Sequence, residues 1–227
     1  MILAATGLQR ERHIVAGPDV EAVAGGGDPA RLEALLDRLA DRTRGIISIG
    51  IAGGLAPGLQ TGQWAVADAV LVDGESVPTD PAWTSRLAAR LPEVARGLLL
   101  GANAMVAEAT HKAALHRTTG AVAVDMESHI VARVARRHRL PFAAARVVSD
   151  AAHRTLPPAA RVGMKSDGRM DLPSVLRSLL AEPGQLAALI RTGLEAERGF
   201  RALLRGCRRL GPRLGGPDLG EPPLDMA

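Results

Sequence analysis

A chain of 227 residues, 47% of them hydrophobic, is long enough for one sizeable folded domain and too apolar to be disordered over most of its length. The formal charge is +4, and lysine occurs only as Lys112 and Lys165 in an arginine-rich chain. The arginines are dispersed before residue 198, and aromatic residues are limited to Trp64, Trp83, Phe142 and Phe200, so no base-stacking surface and no nucleic-acid partner is expected.

The first strand is expected over Met1 to Thr6, closed by Gly7. Met1 to Ala5 is too short for a secretory leader and runs into Arg10-Glu11-Arg12. No apolar run reaches membrane-spanning length, so a cytoplasmic location is expected. His13 to Ala16 reads as a second short strand, followed by Gly25-Gly26-Gly27. Asp28 and Pro29 then offer a helix cap and a first-turn proline, with Leu32, Leu35, Leu36 and Leu39 on one face. Gly45 to Ile49 reads as a buried strand ending in a glycine-rich turn from Gly50 to Gly58. Next come a strand over Trp64 to Val72, a helix over Pro81 to Leu91, a strand over Gly97 to Leu100 and a short helix over Thr110 to Arg117.

Residues 121 to 150 carry the densest signal. An apolar run, Ala121 to Val124, ends in Asp125-Met126-Glu127; a helical pattern follows; a second apolar run, Phe142 to Val148, ends in Ser149-Asp150. Residues 155 to 171 read as a loop containing Pro157-Pro158 and Asp167-Gly168, followed by helices over 172 to 181 and 184 to 206. The expected architecture is a single α/β domain over 1–210, a mainly parallel or mixed central sheet flanked by helices, with a flexible Gly/Pro-rich tail over 211–227.

In an open α/β sheet, ligands bind outside the carboxyl ends of the strands, where Glu127 and Asp150 stand. Capping of the following helix is the plainer role for Asp125 or Glu127, but it does not account for acids ending two consecutive strands. Glu11, taken alone, reads as a surface charge in a loop. Gly53-Gly54 is not part of a G-x-G-x-x-G or Walker pattern and reads first as a tight turn, although bare backbone amides could approach an anion or a sugar. Gly27-Asp28-Pro29-Ala30-Arg31 mimics a phosphate-binding stretch, but helix capping explains it. The six histidines lack metal-ligand spacing, Cys207 is alone, and no G-x-S-x-G elbow occurs, so neither a metal site nor an α/β-hydrolase is expected. From Arg198 to Leu214, Phe200, Leu203, Leu204, Cys207 and Leu210 share one helical face among arginines. Docking on the domain is the first expectation for that face, and peripheral contact with an anionic membrane the second.

Four segments, in order, resemble the nucleoside phosphorylase and nucleosidase superfamily. Leu8-Gln9-Arg10-Glu11 is similar to its Met-x-x-Glu segment, and Gly50-Ile51-Ala52-Gly53-Gly54-Leu55 to its Gly-Ser-Ala-Gly-Gly-Leu turn. Asp125-Met126-Glu127-Ser128 is similar to Glu-Met-Glu-Ala, and Arg146-Val147-Val148-Ser149-Asp150 to Arg-x-x-Ser-Asp. The Asp-Met-Glu-Ser variant and the Pro157-Pro158 loop most resemble the hopanoid-associated branch, in which adenine is removed from adenosylhopane.

The resemblance implies an enzyme that cleaves the N-glycosidic bond of a 5′-substituted adenosine. Asp150 would be the general acid and Glu11 would position the nucleophile. Glu127 would hold the ribose hydroxyls, and Met126, Arg146, Ser149, Gly53, Gly54 and Met105 would complete the substrate site. It implies no cofactor, phosphate as a possible co-substrate, a small or lipid-linked nucleoside as ligand, and a homo-oligomer. Ile51 stands where the family often has Ser, which leaves phosphate and water both open as nucleophile. The purine-stacking Phe of soluble nucleosidases is missing near Asn103-Ala104-Met105-Val106. Two alternatives are a methylthioadenosine/S-adenosylhomocysteine nucleosidase and a non-catalytic nucleoside-binding module.

Overall fold

Strands and helices alternate along most of the chain and assemble around one mixed eight-stranded sheet. The structure, a computed structural model, describes residues 1–163, 165 and 167–217. The first half comprises β1 (Ile2–Thr6), α1 (Gln9–Val15), β2 (Val20–Ala24), α2 (Pro29–Ala40), β3 (Ile46–Gly54), β4 (Trp64–Val72), β5 (Glu75–Pro78), α3 (Pro81–Arg90) and β6 (Val94–Gly101). The second comprises α4 (Ala109–Thr119), β7 (Ala123–Asp125), α5 (Ser128–His138), β8 (Phe142–Asp150), α6 (Pro158–Arg161), α7 (Leu172–Ala181) and α8 (Leu186–Leu210).

The sheet runs β2-β1-β3-β7-β6-β4-β5, and β8 pairs with both β3 and β4. Strands β3, β8, β4, β6 and β7 therefore close into a ring, with β1 and β2 extending one side and β5 the other. Strand β8 lies in the middle, parallel to β3 and antiparallel to β4. It is buried along nearly its whole length, as its continuous apolar run requires of a strand covered on both faces. Near its end Ser149 is inserted opposite the Ala52–Gly53 step, a bulge of the kind that re-aims the next side chain, here Asp150.

Two expectations about the elements need correction. His13 to Ala16 is not a strand, because His13 and Val15 belong to α1. That helix begins at Gln9 because the Glu11 carboxylate turns back to accept the Gly7 and Leu8 amides at 2.8 and 2.7 Å. Gly50 to Gly54 is not a turn either; it is the last part of β3. Glycine is needed at Gly50 by packing, since a Cβ there would stand 2.5 Å from Glu11 Oε1 and 2.8 Å from Arg146 Nη1.

The C-terminal region packs on the domain, the first of its two expected arrangements. Leu203, Cys207 and Leu210 of α8 are buried in the core that includes Trp64 and Ala145, and Phe200 is buried, whereas Leu204 remains 37% exposed. Gly206 lets α8 come in close, since a Cβ there would lie 2.2 Å from the Trp64 ring. Residues 211–217 are docked as well: Leu214 is buried, Trp83 Nε1 donates to its carbonyl at 3.0 Å, and Arg86 Nε donates to Gly215 O at 2.8 Å. The rest of the expected flexible tail, 218–227, lies outside the described residues. No helix among the described residues is long and apolar enough to cross a membrane.

Candidate active site

Two polar groups are set into this apolar frame, one midway along β8 and one at its end. The first is centred on Arg146, whose side chain is fully buried. Its Nε lies 2.9 Å from Asp125 Oδ2 and its Nη2 lies 3.0 Å from Glu127 Oε2 and donates to Ser48 Oγ. The Nε contact has ion-pair distance without hydrogen-bond alignment, and Nη1 has no hydrogen-bond partner in the structure.

Asp125, at the end of β7, accepts the Glu127 and Ser128 amides at 2.9 and 2.7 Å through Oδ1 and so caps the start of α5. Its Oδ2 takes the Ser128 hydroxyl and faces Arg146. Capping is thus the work of Asp125, which leaves the Glu127 carboxylate for Arg146. Glu11 is buried, not a surface charge: its Oε1 accepts the Ile51 amide at 2.7 Å while Oε2 holds the start of α1. The Glu11 and Glu127 carboxylates converge on Gly7, where a Cβ would meet them at 3.4 and 2.8 Å.

Three buried carboxyl groups therefore surround one guanidinium. Burial pushes the Glu127 carboxyl up to about 7; Arg146 opposes this, and the negative neighbours Asp125 and Glu11 reinforce it. Burial also raises Glu11, against the pull of Arg146 and the Ile51, Leu8 and Gly7 amides. Burial disfavours the charged form of Arg146, but Asp125, Glu127 and Glu11 together outweigh it.

The second group lies past the bulge. Asp150 Oδ1 is 2.7 Å from Ser149 Oγ, which also reaches Ala52 O at 3.1 Å. Asp150 Oδ2 pairs with Nζ of Lys112, a residue of α4 with no exposed side-chain surface. Burial raises the Asp150 carboxyl above its ordinary value, against the lowering effect of Lys112 and Ser149. Gly53 faces this pair: a Cβ there would lie 3.4 Å from Asp150 Oδ2 and 3.8 Å from Lys112 Cε. A Cβ on Gly54 would instead meet Val148 Cγ1 at 3.3 Å and the Asp150 carbonyl at 3.4 Å.

Glu11, Glu127 and Arg146 are thus brought together, as are Ser149, Asp150 and Gly53. Met126, half-buried, precedes Glu127 in the turn into α5. Met105 lies on the loop between β6 and α4, 41% exposed and outside both hydrogen-bonded groups. Sequence reasoning missed Lys112, Ser48 and the pairing role of Asp125. One signal for Lys112 was available: in a chain with 28 Lys and Arg, lysine occurs at only two positions, 112 and 165. Among the described residues, no group of three or more His, Cys, Asp and Glu is placed to hold a metal ion.

The family model described as the Phosphorylase superfamily matches residues 29–181. The chain belongs to this superfamily. Among solved structures, it is similar to the methylthioadenosine/S-adenosylhomocysteine nucleosidase of S. pneumoniae, with a TM-score of 0.62 and 17% identity over 92% of this chain and 99% of that one. The S-adenosylhomocysteine nucleosidase of Streptococcus pyogenes gives 0.61 and 17% over 93% and 97%. A Helicobacter pylori nucleosidase mutant with 5′-methylthioadenosine in its active site gives 0.60 and 16% over 91% and 97%. At these identities the likeness establishes the fold. No curated protein is matched by sequence.

Proposed function

We propose that the protein cleaves the N-glycosidic bond of a 5′-substituted adenosine and releases adenine, with water as the nucleophile. The observation that carries this reading is the division of the site: a carboxyl raised by burial, Asp150, ends β8, and a carboxylate–guanidinium group, Glu127, Arg146 and Glu11, lies further back. Breaking the C1′–N9 bond develops negative charge on the purine and positive charge on the ribose, and the two groups answer these separately. Asp150 delivers its proton to purine N7 while the bonding pair moves to N9. Glu127 accepts hydrogen bonds from the ribose 2′- and 3′-hydroxyls and stabilises the oxocarbenium-like sugar. Water held by Glu11 adds its oxygen to C1′ and gives its proton to the Glu11 carboxylate. Met126, with an adaptable thioether, packs against the sugar.

Charge supports water over phosphate. Glu11, Asp125 and Glu127 already outnumber Arg146, and Ile51 brings no hydroxyl, so a phosphate dianion would enter a site with excess negative charge.

For the 5′-substituent we place adenosylhopane first, on the Asp125-Met126-Glu127-Ser128 variant and the missing stacking Phe. Methylthioadenosine and S-adenosylhomocysteine come second, favoured by the names of the structural neighbours. The deciding assay is adenine release from adenosylhopane and from methylthioadenosine, each with and without phosphate. Release from the hopanoid without phosphate is the expected result. Preference for methylthioadenosine makes the protein a salvage hydrolase, and strict phosphate dependence removes water as nucleophile. No release from either substrate by folded protein leaves the nucleoside-binding module as the better reading. A homo-oligomer remains part of the proposal.

The raised Glu127 carboxyl gives a pH signature. A folded-state value of about 7 lies above the ordinary 4.5, so protonated Glu127 favours the folded state, fully below the ordinary value and progressively less as pH rises through about 7. Ribose binding needs the ionised form, so nucleoside affinity moves in the opposite direction. Between pH about 8 and about 6, nucleoside Kd is expected to rise roughly tenfold, as one proton is taken up per site. Titration calorimetry across that range checks this, and Glu127→Gln should flatten the profile.

A further inference from the structure

Lys112 is a buried ammonium with a complete set of partners. Its side chain has no exposed surface, and Nζ donates to Asp150 Oδ2, to Ala151 O at 3.3 Å and to Arg154 O at 3.0 Å. Three N–H donors thus meet three acceptors, and these leave the charge one orientation. A planar guanidinium cannot spread its donors around one atom in this way, which explains a lysine in an arginine-rich chain. Lys112 lies behind the carboxyl, fully enclosed, whereas the Asp150 side chain keeps 10% of its surface exposed. Ser149 holds the other carboxyl oxygen, and the bare backbone of Gly53 leaves room beside the pair.

Burying an ammonium–carboxylate pair is a poor way to stabilise a core, since desolvation cancels much of the attraction and apolar residues do as well. The arrangement does suit an acid. A cation behind a carboxyl stabilises the carboxylate that remains once the proton has left. We propose that Lys112 is a positioning residue for leaving-group departure, which aims Asp150 at the purine and stabilises its carboxylate after proton transfer to N7. This rests on the reading of Asp150 given above. In the step concerned the O–H bond of Asp150 breaks, an N7–H bond forms, and the C1′–N9 pair moves onto the purine. Lys112 keeps all its protons.

The test is Lys112→Met, assayed with whichever of adenosylhopane and methylthioadenosine the wild-type protein cleaves. The plateau kcat should fall about 100-fold with KM within about threefold, since the loss lies in the transition state. The alkaline limb of the pH profile should move to higher pH, because a carboxyl deprived of its cation is a weaker acid. A general folding defect would lower the plateau without moving that limb. On the Asp150→Asn background the substitution should cost less than about threefold more, because Lys112 acts through Asp150. Lys112→Gln, which keeps donors for the Ala151 and Arg154 carbonyls, carries the same test if the Met variant does not fold. An unchanged kcat, an unmoved alkaline limb, or full additivity with Asp150→Asn overturns the proposal while the nucleosidase reading stands. Wild-type protein that releases no adenine overturns both.

Discussion

Asp150→Asn is expected to lower kcat for adenine release by about 1,000-fold while KM changes by less than about threefold. The substitution keeps the shape of the side chain, so its amide oxygen can still receive Lys112 and its amide nitrogen can turn toward Ser149. What it removes is the transferable proton. Ground-state binding does not depend on that proton, so substrate affinity should stay close to wild type, whereas the melting temperature should fall because the buried Lys112 ammonium loses its counter-charge. A kcat within tenfold of wild type, measured on folded protein, would remove Asp150 as the acid.

The largest effect on stability is expected from Arg146→Met. The guanidinium is fully buried and is the cation shared by Asp125, Glu127 and Glu11. Removing it leaves buried carboxyls without their counter-charge, a change that costs about 3–5 kcal/mol in comparable sites. For a domain of this size, that corresponds to a fall in Tm of roughly 6–20 °C. The loss should deepen as pH rises, because the orphaned carboxyls must then ionise in an apolar setting. Adding Asp125→Asn should restore part of the stability at neutral pH, since one of those charges is gone. Melting curves of the single and double variants at two pH values decide this. A Tm within about 2 °C of wild type would mean that the carboxyls are already neutral and that Arg146 is not what holds them.

The parts of the site legible in the sequence were those written locally. An apolar run followed by an acid marks a strand end without any knowledge of the partner strand, which is why Glu127 and Asp150 stood out. The capped start of α2, with Asp28 accepting the Arg31 amide, was legible for the same reason. The misreadings were decided at long range. Gly50 to Gly54 looked like a turn because glycine usually marks one, but here Gly50 makes room for Glu11 and Arg146, residues distant in the chain. His13 to Ala16 has apolar residues in place for a strand, yet the fold-back of Glu11 onto Gly7 and Leu8 starts a helix instead. Lys112 and Asp150 are 38 positions apart, and nothing in either segment announces the other.

Strand β8 acts as a ruler. Arg146 and Asp150 stand four positions apart on it, about 13 Å for extended backbone, and it is clamped between β3 and β4. The distance between Arg146 and Asp150, the groups proposed to serve the sugar and the base, is therefore set by a strand paired on both sides. Met105, 41% exposed on the loop between β6 and α4, lies outside that frame. Altering the tolerated 5′-group, by natural drift or by engineering, would leave the ruler alone and rewrite that loop. A library confined to the loop should change which 5′-group is accepted under the proposed function.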